Sequence, residues 1–442
     1  MIRWERKGLK QKIYINMKTI LFLTGLLLSI GFSAQRILIV NGHLHPVVGQ
    51  EISASLLEIV DGKITGIKNA LSSTYNPKDW DTIIDATDQH IYPGFVAPNS
   101  TLGLTEIEAI RASNDYNEVG EFNPHIRAQI AFNAESKVVE TVKTNGVLLV
   151  QSTPRGGAVS GTSSVMFMGG WNWEDATAKG DDGIHVNWPN TTYGGGWWAE
   201  PEPKSKNEQY TKELKELTNF FQLASTYANA KVIPFDQRLE AMKACFLGTK
   251  RVYIHANDAQ QIIDVMAFVQ AFKLPYPVLV GGDDAYLLGQ RFIDADIPVM
   301  IQRLHRLPEH DEDPVDLPYR LPAMLAKMGV LFCLQNEGGM EAMNTRNLPF
   351  LAGTAMAYGL TEEQALEAIT INSCKIIGIE QRFGSIELGK SATIFVSKGP
   401  ALDMKTNQVT TVLLNGKIQT SVNFQEALYL KYRAKYKSNT TD

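Results

Sequence analysis

Ile91-Tyr-Pro-Gly-Phe-Val-Ala-Pro-Asn-Ser-Thr-Leu-Gly-Leu104 marks the point at which the sequence changes texture. Beyond it, short apolar or β-branched runs at Val147–Val150, Ser164–Met168, Arg251–Ile254, Val278–Val280, Pro298–Ile301 and Val330–Leu334 alternate with helical patterns. Leu214, Leu217, Phe221, Ala224 and Ala228 fall at helical spacing, as do Ile262, Met266 and Val269. Strand-then-helix repetition over about 280 residues predicts an α/β fold of the TIM-like (β/α)8 type, a closed parallel barrel. Seven barrel strands are legible, and the eighth is sought near Lys231–Pro234. Thr361-Glu-Glu-Gln predicts a helix start, with acids where the positive end of a helix favours them.

The flanks read differently. Arg36–Val40, then Leu56–Val60 and Lys63–Ile67 around Asp61-Gly62, alternate like half-buried strands joined by a hairpin. Ala392–Ser397, Thr411–Leu414 and Lys417–Gln419 around Asn415-Gly416 repeat that texture. Both ends therefore build one small composite β-sandwich domain from 35–90 and 379–423, around a barrel over 91–378, with a helical tail at 424–442. Residues 154–204 interrupt the barrel rhythm with paired and triple glycines and hold five of seven tryptophans, Trp171, Trp173, Trp188, Trp197 and Trp198. Two readings stand: a flap packed on its own aromatics, or a lid whose indoles, Trp171 and Trp173 foremost, face a ligand.

With 44% apolar and 20% charged residues, the chain of 442 residues has the composition of a soluble globular protein and not of a disordered or polytopic membrane one. Lys18 precedes an apolar run from Ile20 to Phe32 and then Ser33-Ala34-Gln35, the pattern of an export signal over 1–34 whose true start is read at Met17. The expected location is therefore periplasmic or secreted. Removing it takes away six Lys/Arg and one acid, leaving 36 basic and 46 acidic residues. Such an acidic balance excludes the electrostatic footprint of a nucleic-acid binder, and no stable membrane insertion is expected once the signal is gone. Cys245, Cys333 and Cys374 lie far apart in apolar stretches and read as buried thiols.

The segment Ile91–Leu104 resembles the first barrel strand of the amidohydrolase superfamily, above all its imidazolonepropionase-like branch, where Pro-Gly-Phe-Ile-Asp-x-His-x-His is usual. Val252-Tyr-Ile-His-Ala256, Gly353–Asn372 and Gly384–Phe395 carry the same resemblance, which covers nearly the whole mature chain. It implies hydrolysis of a non-peptide C–N bond in a small or cyclic amide by water on one or two divalent metals. The ligand set is incomplete. Asn99 and Thr101 stand where the two histidines are expected, Ala97 replaces the Asp, and Gly281-Gly282 replaces the strand-six histidine. His255 remains as a metal ligand, and Glu337 is the nearest carboxylate to the missing strand-eight Asp. Cofactor expectations are none or one weakly held divalent cation, with zinc requiring ligands not visible in the sequence.

His305 and Glu337 are the catalytic candidates, and Asn99, Thr101, Trp171 and Trp173 the binding candidates. His305, His310, Asp311, Glu312, Asp313 and Asp316 follow a predicted strand, as a solvated loop or as part of the mouth. Asp283 and Asp284 read as caps of the following helix. His43-x-His45 reads as an exposed turn pair, and Arg155-Gly156-Gly157 as a weak anion cradle. Two functions follow: an exported amidohydrolase, or a catalytically reduced homologue that binds a small molecule or pairs with an intact amidohydrolase. A homo-oligomer is compatible with either.

Overall fold

The computed structural model describes residues 35–194, 200, 202–230 and 234–437. The export signal and the eighth strand sought at 231–233 lie outside the described residues, as do Trp197 and Trp198.

Strands β1 (Arg36–Leu44), β2 (Ile52–Val60), β3 (Lys63–Asn69), β4 (Thr82–Asp85) and β5 (His90–Pro93) open the fold. The barrel strands follow as β6 (Phe95–Ser100), β7 (Val147–Ser152), β8 (Val159–Phe167) and β9 (Thr177–Asn187). After a short ribbon of β10 (Thr192–Tyr193) and β11 (Ser205–Lys206) come β12 (Arg251–Ala256), β13 (Pro277–Gly281), β14 (Val299–Ile301) and β15 (Phe332–Leu334). The chain then returns to the first sheet with β16 (Ile394–Ser397), β17 (Val409–Leu414) and β18 (Lys417–Gln419).

Two large sheets result. The first runs β18-β17-β16-β5-β1-β2-β3, with β4 also paired to β1, so strands from both ends of the chain interleave. Ile37, Ile39, Leu57, Ile59, Ile394 and Leu413 pack one of its faces, as their alternation demands. The second sheet runs β6-β7-β8-β9-β12-β13-β14-β15 and curls into a nearly closed barrel. Its ends are bridged by helix Ile371–Ile377, which packs on both β15 and β6, and by the Val96 N–H bonded to Ile369 O at 2.9 Å. β5 passes into β6 through Gly94 alone, where a Cβ would come within 2.7 Å of Leu148 Cβ. A side chain there would push the joint between the two sheets off β7.

The barrel departs from an all-parallel one. β8 is antiparallel to both β7 and β9, so the stretch read as a flap or lid supplies two barrel strands, of which only the Ser164–Met168 part of β8 was expected. β9 escaped sequence detection because Lys179-Gly180-Asp181-Asp182-Gly183 breaks its apolar run. That break has a structural use: Asp182 is fully buried and accepts from Gln151 Nε2 (2.6 Å) and Tyr253 Oη (2.7 Å). Gln151 Oε1 in turn accepts the Asn99 N–H at 3.0 Å. A polar chain inside the barrel thus ends on the backbone of the mouth.

Helix Ala259–Phe272 opens four residues after His255, with a capping box at Asp258. Asp258 Oδ1 accepts the Gln261 N–H at 2.9 Å, and Gln261 Oε1 accepts the Asp258 N–H at 3.1 Å. Asp258→Ala is expected to cost about 1 kcal/mol in urea unfolding; an unchanged midpoint would show that the cap does not hold this segment. Helix Glu362–Ala368 carries the corresponding box from Thr361 and Gln364. All three cysteines are buried and free, with burial pushing the Cys245 and Cys333 thiols up to about 12. No described helix is long and apolar enough to cross a membrane.

Candidate functional site

The carboxyl ends of the barrel strands converge on a cavity of about 1160 Å³ lined by Thr101, Glu106, Glu108, Tyr116, Arg155, Glu337, Met340 and Glu341, among others. A narrower cleft of about 270 Å³, lined by Asn187, Asn257, His255 and Gln302, shares Glu337 with it. Glu337 is therefore the common wall of both.

Asn99, at the end of β6, holds a left-handed backbone (φ 50°), a conformation Asn tolerates better than most side chains. It is fully buried, and both ends of its amide are used. Nδ2 donates to Glu337 Oε2 (2.8 Å) and Oδ1 accepts from Arg155 Nη1 (2.9 Å). Arg155 follows β7, and its Nη2 reaches Asn99 O and both oxygens of Glu341 at 3.0–3.1 Å. Its Nε lies 4.0 Å from Glu337 Oε1. Glu341 also accepts the Thr101 N–H (3.0 Å). Burial alone would raise the Glu337 carboxyl, but Arg155, His255 and Asn99 hold it down at about 2. The same two acids keep the Arg155 guanidinium charged against the pull of its own burial.

His255 at the end of β12 is 14% exposed, with Nδ1 3.8 Å from Glu337 Oε1. Its Nε2 lies 2.9 Å from Nδ1 of His185, a fully buried residue of β9 stacked on Tyr253 at 4.6 Å. Burial first, then His255 and Arg155, drive the His185 pKa well below its ordinary value, so its ring is neutral.

The structure places Asn99, Thr101, His255 and Glu337 at the same mouth. Sequence reasoning missed three partners: His185, Glu341 and the true role of Arg155. Arg155 was read as part of an anion cradle, but its guanidinium is committed to two carboxylates. His185 carried a weak signal, an apolar Ile184-His-Val186 triplet, hidden with the rest of β9.

Other expectations are corrected. His305 bonds Thr354 Oγ1 (2.8 Å) and meets Tyr319 edge-on, with no contact to the His255–Glu337 group. Trp171 and Trp173 sit in the turn joining β8 to β9, at the barrel end opposite the mouth, because β8 runs against its neighbours. Trp171 is 91% exposed, and Trp173 packs on the barrel core. Asp283 pairs with Arg306 and does not cap its own helix. Asp284 accepts the Ala259 N–H (2.9 Å), capping the helix after β12, and also faces His310. Burial pushes the Asp283 carboxyl up to about 6 despite Arg306.

A divalent metal at this mouth is tested by the donors themselves. Asn99 is spent on Glu337 and Arg155, and the guanidinium stands among the acids where a cation would bind. Among the described residues, the mouth offers no three His, Cys, Asp or Glu ligand atoms within 4.8 Å of one another. The residues present do not fit a catalytic metal, which takes three converging protein ligands.

The amidohydrolase family model matches residues 320–419. An imidazolonepropionase of Symbiobacterium thermophilum is 23% identical over 375 residues, covering 79% of this chain and 85% of its own. That of Alkaliphilus oremlandii is 22% identical, covering 68% and 80%. The chain is similar to the amidohydrolase superfamily, above all to its imidazolonepropionase-like branch. Among solved structures, an amidohydrolase from Thermotoga maritima superimposes with a TM-score of 0.74 at 24% identity, over 87% of this chain and 99% of the other. A Xaa-Pro dipeptidase with bound methionine gives 0.53 at 13% identity, over 87% and 100%. Both likenesses concern the fold. Amidohydrolases typically use a divalent metal.

Proposed function

We propose that this chain binds a small amide-bearing molecule at the barrel mouth, the ligand class of C–N bond hydrolases, without metal-activated water. The observation that carries this reading is Arg155, paired with Glu341 at 3.0 Å and bonded to Asn99 among the acids of the mouth. Its single fixed charge offsets part of the negative charge of the mouth acids, but a guanidinium neither ligates water nor lowers its pKa. The larger cavity is lined by four carboxylates, Glu106, Glu108, Glu337 and Glu341, against this one cation, with apolar walls from Ile107, Ala109, Met340 and Met343. Such a wall favours a ligand with an apolar body and a neutral or cationic head over an anion.

A second reading, hydrolysis retained without metal, is favoured by the His185–His255 pair beside Glu337. His255 would take a proton from water while neutral His185 fixes its ring. Glu337, held at about 2, is too weak a base to serve in its place. Export and pairing with an intact amidohydrolase are compatible with either reading.

The test is a thermal-shift and calorimetric screen of the purified chain against small amides with amine, neutral or carboxylate heads, run with and without chelator. Chelator-insensitive binding of amine or neutral amides, weakened at least about tenfold in Arg155→Lys, is expected, because lysine keeps the charge but loses the fork. Hydrolysis that depends on one stoichiometric divalent ion, both lost in His255→Ala, sinks the metal-free mouth.

A further inference from the structure

The composite sheet carries a second group of side chains with unused chemistry. His43 lies near the end of β1, paired in register with His90 at the start of β5, and the strand runs on so that the His45 N–H donates to Ile91 O at 2.9 Å. Side chains alternate along a strand, so His43 and His45 project from one face, joined by His90 and Tyr92 of the neighbouring strand. Their rings stack: His43 on His45 at 4.5 Å, His45 on Tyr92 at 4.3 Å, His45 on His90 at 5.2 Å. The pair is therefore not the exposed turn pair the sequence suggested, since His45 is only 5% exposed.

Glu51, just ahead of β2, closes the group. Its Oε1 lies 2.7 Å from His45 Nδ1 and its Oε2 3.0 Å from His43 Nε2. One ligand nitrogen of each of the three histidines lies within 4.8 Å of the others, the only such group among the described residues.

We propose that His43, His45 and His90, together with Glu51, bind a divalent transition-metal ion of the zinc class on the composite β domain. Glu51 Oε1 accepts a hydrogen bond from the His45 Nδ1–H, which favours the tautomer whose Nε2 lone pair faces the ion, the usual arrangement behind a metal-bound histidine. His45 Nε2 and His90 Nδ1 now stand 2.9 Å apart. Two nitrogens on a tetrahedral zinc at ~2.0–2.1 Å lie about 3.3 Å apart, so rotating the rings by a few tenths of an ångström admits the ion. The three nitrogens hold the ion, and Glu51 stands behind His45 to orient its ring. The site ties β1, β5 and the turn before β2 together and is independent of the mouth.

The experiment uses full-length, tag-free protein stripped by chelator and titrated with Zn²⁺ alone. One ion per chain is expected, with a melting temperature that rises with zinc by mass action. His43→Gln with His90→Gln is expected to lose affinity by about 100-fold or more, and Glu51→Gln by about 10–100-fold. His255→Ala keeps full stoichiometry. His43→Gln alone, at a half-exposed position, guards against misfolding of the double variant, and both are compared with the wild type in metal-free buffer. Absence of zinc binding in the wild type, unchanged affinity in folded His43→Gln, or loss in His255→Ala instead would each overturn the site.

Discussion

Replacing Arg155 by alanine is expected to destabilise the protein by about 3–5 kcal/mol, because it leaves Glu337 and Glu341 as partly buried charges without a counterion. Asn99 Oδ1 and its backbone carbonyl lose donors at the same time. The side chain is 17% exposed and Glu341 only 9%, so solvent can screen little of the loss. If the cost arises from stranded charge, Arg155→Met combined with Glu337→Gln and Glu341→Gln should recover a large part of it, since neutral amides carry no charge to desolvate. Chemical denaturation of the three proteins measures both effects. A stability within about 0.5 kcal/mol of wild type in Arg155→Ala would mean that the acids are solvated and that the arginine does not organise the mouth.

Glu337→Gln should show a loss that depends on pH. The folded carboxyl titrates at about 2 against an ordinary 4.5, so it is depressed, and its contribution is fully present above pH 4.5. That contribution disappears as pH falls from 4.5 through 2, and its size is about 3 kcal/mol by linkage. The variant is therefore expected to be weaker than wild type by roughly that amount at neutral pH, and the gap should narrow steadily below pH 4.5. Urea unfolding at pH 7, 5 and 3 reads the difference. Two curves that stay parallel over this range would show that Arg155 and His255 do not hold the carboxylate in the folded state.

Much of the architecture was legible because periodicity is a local property. Helical spacing at Leu217, Phe221 and Ala224 matches residues that the fold buries on one helix face. The strand-rich ends predicted a shared β domain, and β5 does pair with β16 across some 300 residues of chain. β9 was not legible: its Gly and Asp residues serve the barrel interior through Asp182, and a strand that buries a carboxylate has no apolar signature to detect. The misreading of Trp171 and Trp173 came from the same stretch. Composition marks where aromatics are dense but not which end of a barrel they reach, and the reversed direction of β8 decides that.

At the mouth the division is similar. Asn99, Thr101 and Gly281 can be read directly at the positions where the resemblance leads to histidines being expected. The sequence by itself also determined that His255 closes a strand and that Glu337 follows another. What surrounds those positions follows from packing alone. Asn99, Arg155, His185, His255, Glu337 and Glu341 come from separate strands and loops, up to about 240 positions apart, and a guanidinium's charge acts on whatever carboxylates packing brings within a few ångströms of it.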